Sequence, residues 1–202
     1  GVIYLTGVYI TQDINKAIYY FDLAANKNDA DAQYNLGKIF EDGEFFTRDI
    51  NKAIHYYTLA ANQNHKMAQY NLGVIYYLGN YIPRCINKAI HYFSLAANNN
   101  SPDADSQNII GYYYLTGEYI AQDINKAIHY FTLAADQNNP QAQFNLGIIY
   151  LSNEYFKKDI NKAIHYFTLA ANQNCPEAQY NLGVFYHSGE YIGKDIDKSI
   201  YY

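Results

Sequence analysis

The chain has no tryptophan, one methionine, two cysteines and four prolines in 202 residues. Two cysteines, Cys85 and Cys175, make neither a disulfide framework nor a zinc-ligand cluster, and they suit free thiols in a reducing compartment. Charge is also scarce, at 16% Asp, Glu, Lys and Arg against the usual quarter or so. Positive charge is the scarcer sign: 14 Lys and Arg against 19 Asp and Glu leave a net charge of −5. A nucleic-acid binder carries a basic face, so that class is disfavoured. The longest apolar runs, such as Ile109 to Leu115, have seven residues. A membrane-spanning helix needs roughly 20. No charged segment followed by an apolar one opens the chain, so no secretory leader is visible. The sequence starts at Gly1, inside a repeating pattern, and is expected to be a fragment of a longer polypeptide.

What is abundant is aromatic: 25 Tyr and 10 Phe. Tyr, Asn, Ile and Lys dominate together, which also suits an AT-rich coding sequence, so tyrosine abundance alone argues for no function.

The string Ile-Asn-Lys-Ala-Ile begins at 14, 50, 86, 124 and 160 and returns as Ile-Asp-Lys-Ser-Ile at 196. The spacings are therefore 36, 36, 38, 36 and 36 residues. A fixed period of this size signals a solenoid or array. The copies span 1–28, 29–64, 65–100, 101–138, 139–174 and 175–202, the first and last partial. In the copy 29–64, Ala32, Leu36, Ile39 and Phe40 fall at helical spacing and predict helix A. Ile50, Ala53, Ile54, Tyr57 and Ala61 predict helix B. No stretch alternates long enough for a strand.

The residues between these segments agree. Asp13, Asp49, Asp123, Asp159 and Asp195 stand before helix B, where a side-chain oxygen can accept an orphan N–H; Cys85 stands there in the third copy and cannot. Helix A is predicted to end at Gly7, Gly43, Gly79, Gly117 and Gly189, with Asn153 in the fifth copy. Helix B ends at Asn28, Asn64, Asn138 and Asn174. Gly and Asn tolerate the left-handed backbone of a helix stop. Asp29, Asp103 and Asn139 are expected to cap the next helix A, with Pro140 and Pro176 in its first turn. The extra two residues of the 38-residue spacing fall near Ser101-Pro102, in an exposed turn where insertion is cheap.

A second set of glycines, Gly37, Gly73, Gly111, Gly147 and Gly183, matched by Gly1, falls in mid-helix A. Such a glycine costs about 1 kcal/mol relative to Ala. Its return in every copy implies that helix B crosses helix A closely there.

Ala68-Gln69-Tyr70-Asn71-Leu72-Gly73, with Tyr76, Gly79, Lys88-Ala89 and Ala96-Ala97, resembles the Sel1-like repeat, a branch of the tetratricopeptide-type α-solenoids. The resemblance runs through the whole chain in register. It implies an all-α, right-handed superhelical α-solenoid of antiparallel helix pairs and a single domain over 1–202. It also implies a role as adaptor or scaffold for protein complexes. Secreted members often bridge their helices with paired cysteines. Their absence here favours the cytoplasm, and the one glycosylation pattern, Asn99-Asn100-Ser101, is followed by Pro102.

No chemistry emerges from the remaining side chains. His55, His91, His129 and His165 form one column on helix B. Stacked helices lie about 8–10 Å apart, whereas two ring nitrogens sharing a metal each lie about 2 Å from it. The column is expected to be a solvated ladder, and His65 and His187 to be surface residues. Lys16, Lys52, Lys88, Lys126, Lys162 and Lys198 follow the cap position by three residues, so local pairing with Asp is expected rather than a nucleic-acid rail. No nucleophile, paired carboxylate or phosphate loop stands out; no catalytic residue, metal or cofactor is expected.

The tetratricopeptide-type frame turns three helix A columns toward the concave side. The first is Tyr34, Tyr70, Asn108, Phe144 and Tyr180. The second is Val2, Lys38, Val74, Tyr112, Ile148 and Val184. The third is Leu5, Glu41, Tyr77, Leu115, Leu151 and His187. A solvent-facing helix carries a polar stripe, and these columns are mostly apolar. They are either core, packed between repeats, or an aromatic groove for a peptide or partner helix. Lys38 is their one cation, so the basic clamp that captures acidic C-terminal tails is missing. Leu23, Leu59, Leu95, Leu133 and Leu169 are expected to widen the buried face of helix B, a convex ridge being the alternative. Asn35, Asn71, Asn145 and Asn181 recur in helix A, where they could bond neighbouring backbone or a bound peptide.

The expected function is a non-enzymatic protein–protein interaction scaffold. Its partners would be proteins or peptides, with neither nucleic acid nor membrane insertion. End-to-end self-association is expected of the uncapped fragment. The alternative is a regulatory or structural segment of a larger multidomain enzyme or signalling protein.

Overall fold

The computed structural model describes residues 1–8, 11–43, 47–99, 102–152, 154 and 157–202. Asn153 and Ser101, named above for a helix stop and a turn insert, lie outside them. The described residues form two compact units, Gly1–Asp103 and Ala104–Tyr202.

The first unit contains α1 (Val2–Thr6), α2 (Ile14–Ala25), α3 (Ala30–Asp42), α4 (Ile50–Ala61), α5 (Lys66–Leu78) and α6 (Ile86–Ala97). The second contains α7 (Ala104–Thr116), α8 (Ile124–Asp136), α9 (Pro140–Leu151), α10 (Ile160–Ala171), α11 (Pro176–Ser188) and α12 (Ile196–Tyr201). Odd-numbered helices are A and even-numbered ones B. Within each unit every helix packs on the next. The architecture is all-α, built of consecutive antiparallel helix pairs, and no strand occurs among the described residues.

Local chemistry sets the boundaries. Asp13, Asp49, Asp123, Asp159 and Asp195 each accept the backbone N–H three residues on, at 3.0 Å. The bond from Lys16 N–H holds the Asp13 carboxyl below its usual value. Cys85 occupies the same backbone place without a side-chain bond. Gly7, Gly43, Gly79, Gly117 and Gly189 close helix A, and Asn28, Asn64, Asn138 and Asn174 follow helix B, all at φ between 61° and 71°. Pro140 and Pro176 open α9 and α11.

The mid-helix glycines sit where helix B comes closest. A Cβ on Gly37, Gly73, Gly111 or Gly147 would meet the ring of Tyr57, Phe93, Phe131 or Phe167 at 2.5–2.8 Å. Those four rings are 0–2% exposed. Tyr57, Phe131 and Phe167 each anchor a small core with the alanines of their own helix B and the leucine of the following helix A, as in Ala53, Tyr57, Ala60, Ala68 and Leu72. Burying one such ring contributes about 1.5–3 kcal/mol.

The leucine column departs from expectation. Leu23 is 45% exposed, and Leu95, Leu133 and Leu169 are 36–38% exposed. On helix B the core arc is defined by Ala53, Tyr57 and Ala60. Two residues past Tyr57 is about 200° around the helix, so the leucine faces away from helix A.

Candidate interaction surface

The buried polar groups hold repeat to repeat. Gln33, Gln69, Gln107 and Gln143 are only 1–2% exposed. Each accepts, through Oε1, an amide N–H from the end of the next helix B: Gln63 at 2.7 Å, Asn99 at 2.9 Å, and Gln137 and Gln173 at 2.8 Å. In return Gln33, Gln69 and Gln143 donate to the carbonyls of Ala25, Ala61 and Ala135 at 3.2–3.3 Å. Periodicity and motif spacing did not single out these glutamines, although a glutamine returning beside the same alanine in an apolar helix was the available signal.

A second ladder lies on the edge where helix B begins. Helix A rings Tyr4, Phe40, Tyr76, Tyr114, Tyr150 and Tyr186 stack on Tyr20, Tyr56, Tyr92, Tyr130, Tyr166 and Tyr202, with centroids 5.6–6.0 Å apart and planes within 7°. The lysine column covers the other ring face, its Nζ atoms 4.7–5.5 Å from the centroids. In five copies the same lysine pairs with its cap aspartate at 3.3–3.8 Å. The lysines are thus placed by local charge and by the ring quadrupole together. His55, His91, His129 and His165 are exposed and meet the following tyrosine edge-on. No group of three His, Cys, Asp or Glu that could hold a metal occurs among the described residues.

His65 is a correction to the surface placement. Its side chain is 16% exposed and its Nε2 lies 3.2 Å from Asp31 Oδ1. Nδ1 accepts the Ala68 N–H as the cap of α5, and the ring stacks on Tyr34 at 4.6 Å. His187 is exposed.

The three helix A columns separate. In the first, Tyr34, Tyr70 and Phe144 are half-buried, their rings 5.7–5.8 Å from Tyr57, Phe93 and Phe167 of the same repeat. Burial pushes the Tyr34 hydroxyl pKa up. Tyr180, in contrast, is 71% exposed. In the second column Lys38 is exposed and Val74 half-buried. Tyr112, Ile148 and Val184 are 47%, 38% and 43% exposed. In the third, Leu115 and Leu151 lean on the cores of the second unit, while Tyr77 stays 39% exposed under the Arg84 guanidinium. The first unit therefore presents Val2, Lys38 and Tyr77 from these columns, and the second presents Tyr112, Ile148, Tyr180, Val184 and His187. A hollow of about 340 Å³ beside Tyr180 and Val184 reaches Gly183.

The helix A asparagines divide too. Asn35 and Asn181 bond carbonyls one turn back in their own helices at 2.8 and 2.7 Å. Asn71 and Asn145 reach the preceding repeat, donating to Tyr57 Oη and Asn108 Oδ1 at 3.0 Å.

Helix pairs of fixed length, joined by capped turns and cross-linked by the same buried amides, define an α-solenoid repeat protein. The Sel1 repeat profile matches residues 1–29, 30–65, 66–101, 104–139, 140–175 and 176–202, and the chain belongs to the Sel1 repeat family. Repeats of this type generally serve as protein–protein interaction scaffolds. The chain is similar to a Sel1 repeat protein from Oxalobacter formigenes, with 27% identity, a TM-score of 0.84, and coverage of 99% of this chain and 81% of that one. It is also similar to c5321, a protective antigen of uropathogenic Escherichia coli strains with an SLR fold: 25% identity, TM-score 0.59, covering 99% of this chain and 50% of that one. YrrB, a TPR protein with an unusual peptide-binding site, shares the fold at 23% identity and a TM-score of 0.55, with coverage of 89% and 90%. No curated protein matches the chain. No helix among the described residues is long and apolar enough to cross a membrane.

Proposed function

We propose that this protein is a non-enzymatic interaction scaffold whose helix A faces receive a peptide or a partner protein. The observation that carries the proposal is the second column. Tyr112, Ile148 and Val184 keep 38–47% of their surface exposed after all neighbouring helices have packed. A helix face with no remaining intramolecular partner and no polar stripe is suited to burying a partner's apolar side chains. Tyrosine supplies contact area at low entropic cost. Affinity would come from these side chains rather than from net charge. The half-buried ring of Phe144 would form part of the floor in the second unit, and Tyr34 and Tyr70 would do the same for the helix A face of the first.

Two separated thiols, one of them buried with its pKa pushed up, fit a reducing compartment such as the cytoplasm. Exposed Val2 and Ile3 on α1, and Ile196, Ile200 and Tyr201 on α12, support end-to-end association of the 1–202 polypeptide. Light-scattering mass should then rise with concentration; a constant monomer mass contradicts it.

The test is affinity capture with the wild-type chain beside a Tyr112→Ser, Ile148→Ser, Val184→Ser variant whose helicity and melting temperature are unchanged. A partner held by the first and lost by the second supports the helix A face. A partner held equally by both places binding elsewhere.

A further inference from the structure

The second repeat differs from its siblings at three positions, two of which, Glu41 and Tyr57, are in contact. On helix A it carries Lys38 where the other copies have Val, Tyr or Ile. It carries Glu41 where they have Leu, Tyr or His. On helix B it carries Tyr57 where the other complete copies have Phe. The Tyr57 hydroxyl donates to Glu41 Oε2 at 2.6 Å and accepts from Asn71 Nδ2 at 3.0 Å. Tyr57 is fully buried, so its hydroxyl requires such partners. The reverse does not hold: the phenylalanine used elsewhere fills the same core without a carboxylate. Core packing thus explains Tyr57 once Glu41 is present, but it does not explain Glu41.

Glu41 is half-buried near the end of α3, and Arg48 Nε donates to its backbone carbonyl at 2.6 Å without reaching the carboxylate. Among the described residues it has no cation within ion-pair distance, and Lys38, one turn earlier and exposed, has no anion. Among the described residues, two opposite charges therefore stand on one helix face without an ion pair, the Glu41 carboxylate bonded to the Tyr57 hydroxyl, with Val74 and Tyr77 on α5 in the same columns of the next repeat.

We infer that Lys38 and Glu41 read the charge pattern of a bound segment. This deepens the scaffold function proposed above and rests on it. The segment would carry one acidic and one basic residue, adjacent or one apart, beside an apolar side chain that lies on Val74 and on the part of Tyr77 that Arg84 leaves open. The spacing follows from geometry. Three helical residues advance about 4.5 Å along α3, and neighbouring or alternate residues of an extended segment advance about 3.3–6.6 Å. Burying the segment's cation against Glu41, already held in place by Tyr57, adds a charged partner to a partly desolvated carboxylate.

The test is selection from a random peptide display library on residues 1–202, with four baits: wild type, Lys38→Val, Glu41→Gln, and the double variant Glu41→Leu, Tyr57→Phe. The double variant restores residues used by other copies, and Glu41→Gln removes the charge while keeping an acceptor for Tyr57. Either one reports if the other folds poorly. The wild-type bait should select peptides with an acid and a base adjacent or one apart. Lys38→Val should lose the acidic preference and both Glu41 variants the basic one. A synthetic selected peptide should bind each variant about tenfold more weakly. Peptides lacking the charge pair, or bound equally by all baits, overturn the inference and leave the scaffold function standing. Failure of every bait to select any peptide counts against both.

Discussion

Gly73 on α5 and Phe93 on α6 are in direct contact: a Cβ on Gly73 would stand 2.6 Å from the Phe93 ring. The missing side chain is what lets the ring lie against the helix. The helix-propensity cost of a central glycine, about 1 kcal/mol, is offset by burying a whole phenyl group.

Gly73→Leu should therefore destabilise by about 1–3 kcal/mol through overpacking. Gly183 provides the internal comparison, since a Cβ there would come no closer than 3.5 Å to Ser199 O and 3.7 Å to the Tyr202 carbonyl carbon. Gly183→Ala should stabilise, by up to about 1 kcal/mol. Thermal melts of the two variants should move in opposite directions; equal shifts would contradict the close-crossing account.

Cys85→Asp should stabilise the third repeat by about 1 kcal/mol. Cys85 already has φ −137° and ψ 89°, against −131° and 87° at Asp49, so the new carboxylate would need no backbone movement. Lys88, poised over Tyr76 at 4.7 Å, would gain the ion pair its siblings have. A denaturant midpoint at or below that of the wild type would refute the assignment.

Gln69→Leu should cost about 1–3 kcal/mol, because it removes the acceptor of Asn99 and the donor to the Ala61 carbonyl. Gln179→Leu should cost less. Gln179 is half-buried and bonds the Ala171 carbonyl at 3.3 Å. Chemical denaturation of both variants gives the comparison.

Alkaline pH should expose the Tyr57 hydroxyl. Burial, and then the Glu41 carboxylate, push its pKa above the usual value near 10. A group with a raised folded-state pKa stabilises fully below its unfolded pKa, and that stability falls as pH rises above about 10. The double variant Glu41→Leu, Tyr57→Phe should lose less stability than wild type between neutral and strongly alkaline pH. Parallel pH–melting curves would show that Tyr57 ionisation plays no part.

Repeat length, helix pairing, the aspartates that cap helix B and the glycine and asparagine stops among the described residues were legible in the sequence. Each depends on a few neighbouring residues: an aspartate three before an N–H, an asparagine or glycine where φ must turn positive, a proline in a first turn. The close crossing was legible as well, because a mid-helix glycine weakens its helix in every copy unless a neighbour packs into the space it leaves. The exposed leucines were misplaced because amphipathic spacing finds an apolar residue without saying how wide the buried arc is. His65 was misplaced because its partners, Asp31 and Tyr34, lie about thirty residues away in the preceding repeat.

By itself, then, the sequence determined the period, the helices and their ends, since short-range hydrogen bonding and backbone sterics decide these. Which helix A side chains remain open was decided only by tertiary structure. Tyr34 and Tyr180 occupy the same column, yet one packs on Tyr57 and His65 while the other is 71% exposed. Exposure is set by what neighbouring helices cover, and that is a property of the packed repeat rather than of the residue.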